Sequence, residues 1–340
     1  MNHYKIFTDA GRGLFSERLD DVYHKVKAHL ASEQFEHRVL CYAKVFLSDI
    51  SNQEEILRQS PLMTELISRS ACTIVQQPPV NGAKIGLLLK TSDEPDDFML
   101  SSLRLSDGEA SGVNSYDQTI MLFNKYLMQL EDEGLRLKDH CVRTWIYVRD
   151  IDANYDGVVK ARNDIFCQHG LTPDTHFIAS TGIGGRTMGK NVCVAIDFLT
   201  ARSIRSEDKL YLKALDHLNP THEYGVAFER GVRMTLPHKY QYFISGTASI
   251  NHRGEVVHVG DVMKQTARLL KNIEALLADG GATMGDVSYF IVYLRDLADA
   301  SAVEAYMAEA FPTVPRIITH AEVCRPAWLV EMECIAECAR

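Results

Sequence analysis

The chain has 340 residues, 46% of them hydrophobic and 24% charged, with a formal net charge of -9. That length supports two or three domains with filled cores. The acidic balance excludes a general nucleic-acid binder, which carries a basic stripe, while local arginines can still draw a small anion.

The N-terminus, Met1-Asn2-His3-Tyr4-Lys5, leads into mixed polar sequence without the apolar core of a signal peptide. No apolar run reaches the roughly 18 residues of a membrane span. The expectation is a cytoplasmic protein with no membrane and no nucleic-acid partner. Residues 19–30 have helical periodicity, and residues 39–50 form a β-branched and aromatic strand ending Leu47-Ser48-Asp49-Ile50. A closing strand is expected at 83–89. The pattern then returns twice: helix 116–130, strand 141–151 ending Arg149-Asp150-Ile151, closing strand 192–198; and helix 262–277, strand 287–297 ending Arg295-Asp296-Leu297, closing strand 329–335. The third helix carries Leu269, Leu270, Ile273, Leu276 and Leu277 at helical spacing.

A repeat of about 100 residues is a domain rather than a solenoid unit. The reading is three α+β units at 1–95, 96–205 and 235–340, joined by a polar bridge at 206–234. Each unit is expected to run strand, strand, helix, strand, helix, strand, with helices packed on one sheet face. Three such units in one chain can close as a pseudo-trimer, a monomer whose internal interfaces form clefts.

The eight cysteines (41, 72, 141, 167, 193, 324, 334 and 338) form no CxxC pair and no zinc spacing, so buried, reduced thiols are expected and no metal. Gly182-Ile183-Gly184-Gly185 lacks the Lys and Ser/Thr of a phosphate loop and is expected to turn the chain. The last strand is unusual. Val330, Met332 and Cys334 alternate with Glu331 and Glu333, so two carboxylates share one face of an apolar strand. Buried charge needs a partner or a task. Cys324 and Arg325 stand just upstream across Pro326, which makes this strand end the place to look for chemistry.

Tyr242 to Ile250, Gly260-Asp261-Val262, Gln265-Thr266, Asn272-Ile273, Gly281 to Val287 and Val330 to Ala336 resemble the Rid (YjgF) superfamily. The resemblance implies three Rid-like, chorismate-mutase-like units. Rid proteins are usually homotrimers with sites between subunits that deaminate enamines and imines, using an arginine after Pro-Ala to hold a carboxylate. Here Arg316 follows Pro315 directly; Arg69 and His176 stand near the corresponding places in units one and two. Over residues 100–340 the chain also resembles the chorismatase family within that superfamily. The shared residues are Arg143-Thr144-Trp145, Tyr147-Val148, Ala179, Thr181-Gly182-Ile183-Gly184, Tyr224-Gly225, Phe228, Arg230, Ser245 to Ser249 and Leu329-Val330-Glu331. The family usually shows Asn where Ile146 stands, and the first 95 residues look more Rid-like.

That resemblance implies chorismate as the small-molecule substrate and pyruvate as one product, with no cofactor. Protonating the enolpyruvyl methylene needs an acid that is neutral near pH 7, and Glu331 beside Glu333 has the surroundings to be one. Two substrate carboxylates call for guanidinium and hydroxyl donors: Tyr224 and Arg230 from the bridge, Arg162 from unit two, and Arg316. Arg143 is expected to hold structure within unit two. The Gly246 and Cys324 pair resembles the 3-hydroxybenzoate-forming type, the thiol helping to move a proton during aromatisation. Two alternatives stand beside this: a Rid-type deaminase using Arg316 or Arg69, and a non-catalytic binding module for small carboxylates.

Overall fold

The computed structural model describes residues 2–93 and 97–340, with the side chain of Tyr224 outside the described set. Three mixed sheets form, each covered on its outer face by helices. The first has β1 (Asn2–Thr8), α1 (Phe15–Phe35), β2 (Val39–Leu47), α2 (Ile50–Gln59), a π-helical turn at Leu62–Ile67, β3 (Ala71–Gln76) and β4 (Ile85–Ser92). The second has β5 (Phe98–Leu103), α3 (Ser115–Asp132), the short α4 (Leu137–His140), β6 (Cys141–Val148), α5 (Ile151–Gln168), β7 (Ala179–Gly184) and β8 (Val194–Ala201). The third has β9 (Lys209–Leu212), β10 (Gly231–Thr235), β11 (Lys239–Thr247), α6 (Val262–Asp279), β12 (Val287–Leu294), α7 (Ala300–Ala310), β13 (Arg316–His320) and β14 (Val330–Ala339).

The strand orders β1-β4-β2-β3, β5-β8-β6-β7 and β11-β14-β12-β13 are one topology repeated, and β10 and β9 extend the third sheet to six strands. The three units are therefore α+β units of one kind, as their repeated sequence pattern predicts. The order differs from the expected one in all three units. A single strand precedes the first helix in units one and two, and two strands follow the second helix in every unit. The short parallel strands β3, β7 and β13 hold five or six residues each, too few for alternation to mark them.

The repeated aspartate ends each central strand but does different local work. Asp49 and Asp150 stand at the N-caps of α2 and α5, Asp150 in the left-handed region at φ 47°. Asp296 instead caps a single 3₁₀ turn before α7, accepting from the Ala298 amide. Buried residues of α6 alternate between apolar packing and polar clamps. Leu269, Ile273 and Leu276 enter the core, while Gln265 and Asn272 carry amides into it.

The inner faces of the three sheets meet in one apolar core that includes Tyr42, Phe46 and Leu88 from the first, Trp145, Tyr147 and Leu199 from the second, and Phe243, Tyr289 and Ile335 from the third. Smaller cores lie under α1 and α2, and under α3 and α5. The units close in a cycle. Gln76 pairs with Arg186, Ile183 with Val323, and Thr319 with Pro79. Each parallel strand thus bonds the segment that follows its counterpart in the next unit, and the third contact returns to the first unit. This is a closed pseudo-threefold ring. Among the described residues no helix is long and apolar enough to cross a membrane.

Candidate active site

The ring places a cleft at each of its three internal interfaces, and strand register makes their residues comparable. On the central and closing strands, Tyr293 pairs with Glu331, Tyr147 with Ala195 and Phe46 with Gly86. One step along, Ile291 pairs with Glu333, Trp145 with Asp197 and Lys44 with Leu88. Glu331 therefore has Ala195 and Gly86 as counterparts, and only one interface keeps an acid at that position.

At this interface Tyr155, Arg162 and Gly182 of the second unit face Phe228, Arg230, Gly246, Cys324, Arg325, Trp328 and Glu331. The structure thus brings together Glu331, Cys324, Arg162, Arg230 and Gly246. The bridge residue Tyr224 ends a 3₁₀ turn at Thr221–Tyr224 beside this region, and its side chain is outside the described set.

The two acids of β14 have separate environments. Glu333 accepts from Arg143 Nη2 at 2.8 Å, from Trp145 Nε1 at 2.7 Å and from the Thr181 hydroxyl. Arg143 holds structure within its own unit, donating to the Thr181 hydroxyl at 2.6 Å, and also reaches across to the third unit, because its strand faces β14 over the shared core. No hydrogen bond among the described residues reaches the Glu331 carboxyl. Burial, and then the charge of Glu333, push it up to about 8. Glu333 is tied into a structural hydrogen-bond cluster, and Glu331 is a neutral acid near pH 7.

Gly246 is why Glu331 fits. A register shift between Ile244 and Thr247 interrupts the pairing of β11 with β14, a bulge that re-aims the strand. A Cβ added at Gly246 would overlap the Glu331 carboxyl and stand 3.0 Å from Thr181 Cγ2. Two buried amides hold both sides of this junction. Asn272 Nδ2 donates to the Ala248 and Ile250 carbonyls, each at 3.1 Å. Gln265 donates to the Ala327 carbonyl at 2.9 Å and accepts from the Leu329 amide at 2.9 Å.

Arg230 is buried, donating to the Asn219 carbonyl at 3.0 Å, with its guanidinium 5.4 Å from the Phe228 ring. Arg162 is also buried, 5.8 Å from the same ring. Two guanidinium groups thus flank one aromatic ring on one wall of the cleft. Tyr155 lies two turns before Arg162 on the same face of α5 and was not singled out by the sequence. Its heptad spacing from Arg162 was the available signal. Its ring packs on Gly182, where a Cβ would come within 2.8 Å of it. Burial pushes the Tyr155 phenol well above its ordinary value, and burial with the Glu331 charge pushes the Cys324 thiol up to about 12. Both remain protonated, so Cys324 is a donor here and not a thiolate. All eight cysteines are free, and Cys167, expected buried, is exposed at the end of α5.

Arg316 is not in this cleft. It lies on β13, two strands from β14, donating to the Phe311 carbonyl and pairing with Glu304, each at 3.1 Å. Its register partner places it in the cleft between the third and first units, a wider groove of about 540 Å³ lined also by Ile6, Thr8, Val80 and Asn81. The remaining cleft, between the first and second units, holds about 460 Å³ and is lined by Glu54, Arg58, Cys72, Ser102 and Arg104. Behind it Asp197 accepts from Thr73 at 2.5 Å and from Ser102 at 2.8 Å. Lys44 lies 3.9 Å from Asp197 and 3.4 Å from the Trp145 ring centroid. Arg69 is exposed in the turn before β3, and His176 stacks on Tyr211 at 4.4 Å.

Residues 227–338 match the Endoribonuclease L-PSP family. The chain is 32% identical over 96 residues to the 3-aminoacrylate deaminase RutC of Acinetobacter baylyi, covering 28% of this chain and 76% of that protein. It is 31% identical over 218 residues to a 3-hydroxybenzoate synthase of Streptomyces hygroscopicus, covering 56% of this chain and 62% of the synthase, so it spans less than two thirds of that relative's length. A chorismatase crystal structure superposes with a TM-score of 0.70 at 19% identity, covering 99% of this chain and 98% of the other, and shares the whole three-unit fold. The chain belongs to the Rid/YjgF superfamily, and within it resembles the 3-hydroxybenzoate synthase in sequence and the chorismatase in its whole-chain fold.

Proposed function

We propose that this chain is an enzyme that cleaves chorismate, releasing pyruvate and forming 3-hydroxybenzoate. The observation that carries the reading is the pairing of one neutral buried acid, Glu331, with two buried guanidinium groups, Arg162 and Arg230, in a single cleft. The relative named 3-hydroxybenzoate synthase supports the product. A dianion is drawn by the arginines, which present bidentate donors to carboxylates.

In this mechanism Glu331 gives its proton to the enolpyruvyl methylene carbon. The ether oxygen then carries an oxocarbenium ion and becomes a good leaving group. The neighbouring ring hydroxyl attacks the ether-bearing carbon, its proton is lost, and the carbon–oxygen bond to pyruvate breaks. The resulting arene-oxide-like ring opens, loses the proton on that carbon and becomes aromatic, while a proton returns to Glu331. No water is consumed, so atoms and charge balance with chorismate as sole reactant. Protonated Cys324 and Tyr155 supply hydrogen bonds to the migrating oxygen. The cleft holds about 50 Å³, with Arg325 over the Trp328 ring on its wall.

Purified protein incubated with chorismate should release pyruvate and 3-hydroxybenzoate in equal amounts, and Glu331→Gln should release neither while keeping its circular dichroism spectrum. Pyruvate accompanied by a dihydroxy-cyclohexadiene acid would retain the cleavage and reject the product. Undiminished turnover in the variant would reject Glu331 as the acid. A deaminase reading rests on a different cleft, that of Arg316, and on the likeness to the 3-aminoacrylate deaminase over 28% of the chain. Ammonia from enamine substrates, with no pyruvate from chorismate, would favour it.

A further inference from the structure

Outside the three clefts, one cluster of side chains converges without a role in the chemistry above. His29 and Glu33 stand one turn apart on the inner face of α1, and His3 reaches them from β1. His3 Nδ1 lies 2.7 Å and His29 Nδ1 3.9 Å from Glu33 Oε1. The three candidate ligand atoms lie within 4.8 Å of one another, the one such convergence of His, Cys and acidic groups among the described residues. The other oxygen, Oε2, is held by Arg38 Nε at 2.5 Å and the Thr91 hydroxyl at 2.5 Å. Oε1 faces the two imidazoles and takes only a long contact of 3.4 Å from Arg38 Nη2, while Oε2 is fixed by the shorter outer hydrogen bonds, as in a ligating carboxylate.

We infer that His3, His29 and Glu33 form a site for a divalent transition-metal ion of imidazole preference, such as Zn²⁺, that fastens the N-terminal strand to α1. Two ligands one turn apart on a helix plus a third from a neighbouring strand leave a fourth position open to solvent, as a tetrahedral ion requires. His3 presents Nδ1 to Glu33 Oε1, and that nitrogen is the atom that would bear the metal. The Phe7 ring, 5.5 Å from His29, supplies an apolar side. The strand so fastened matters, because β1 also reaches the third unit through Asn2 and Tyr4, which both donate to Glu337.

The test uses the full chain without an affinity tag, stripped of metal with a chelator, and is independent of any turnover assay. Titration calorimetry with Zn²⁺ should give one ion per chain, and Zn²⁺ should raise the melting temperature. His3→Ala, at a half-exposed position, and His29→Gln should each weaken binding at least tenfold and abolish the thermal shift. Co²⁺ substitution separates this site from the thiols: nitrogen and oxygen ligation lacks the intense thiolate charge-transfer bands. Unchanged affinity in both variants, thiolate bands with Co²⁺, or no Zn²⁺ binding to the wild-type chain would each overturn the site.

Discussion

At the scale of single residues, the outcome turns on two glutamates that the sequence presents as equals. Alternation on β14 put both on one face of a buried strand. It could not say which acid is paired, because Arg143, Trp145 and Thr181 come from another unit more than 150 positions away. In the proposed mechanism Glu331 acts in its protonated form, so turnover should be constant at low pH and fall about tenfold per unit as pH rises past about 8. A rate that instead rises through pH 8 would assign the group as a base. The same shift is a stability term. Held above its unfolded value of 4.5, the carboxyl keeps a proton in the fold that the unfolded chain has lost, so its contribution is full below pH 4.5 and is lost between there and about 8. Glu331→Gln should therefore gain stability relative to the wild type, by roughly a few kcal/mol, as urea titrations move from pH 5 to pH 8. Gly246→Ala tests the fit from the other side. Its methyl group would occupy the space of the Glu331 carboxyl, so turnover should fall by roughly 10²–10⁴, the usual contribution of a general acid. An active Gly246→Ala enzyme with an unchanged pH profile would show that the acid does not depend on this contact.

At the scale of elements, long amphipathic helices were legible and short strands were not. Residues 262–277 announced α6 by apolar spacing, and the polar Gln265 and Asn272 within it belonged to a stretch resembling Rid proteins. Their task emerged only with the loops they bind, because the Ala327 carbonyl and Leu329 amide have no local signature. Replacing Gln265 with Leu keeps the volume near and removes these bonds, leaving buried backbone groups unmet at about 1–3 kcal/mol. Since Leu329 leads directly into the strand bearing Glu331, the variant should lower both the urea midpoint and kcat. A lowered midpoint with full kcat would confine Gln265 to stability. On α5, the heptad of Tyr155 and Arg162 shows the same limit. Periodicity marks one face of the helix, and only the neighbouring unit decides whether that face is core or cleft.

At the scale of the molecule, the threefold repeat was visible because each central strand ends in the same aspartate-hydrophobic pair. The functional asymmetry was not, because it lies on closing strands whose register only the sheets establish: Glu331 against Ala195 and Gly86, Glu333 against Asp197 and Leu88. The third-unit cleft alone combines acid and buried arginines. The contacts that join units run from the first to the second, the second to the third, and the third back to the first. A Rid subunit closes such a ring with two further chains, whereas here every one of those edges finds its partner inside one chain. Large exposed apolar residues such as Leu14, Phe35, Met128, Leu215 and Val259 are scattered over different elements, and scattered residues do not make a docking patch. Light scattering on a dilution series should therefore give the mass of a single chain throughout. A non-reactive dianionic analogue of chorismate should bind with one site per chain, not three. A stable mass of two or three chains would mean that the ring presents an interface beyond its own closure. Three equivalents of bound analogue would mean that the arginine-bearing clefts at the other two interfaces have kept their ligands after losing the acid.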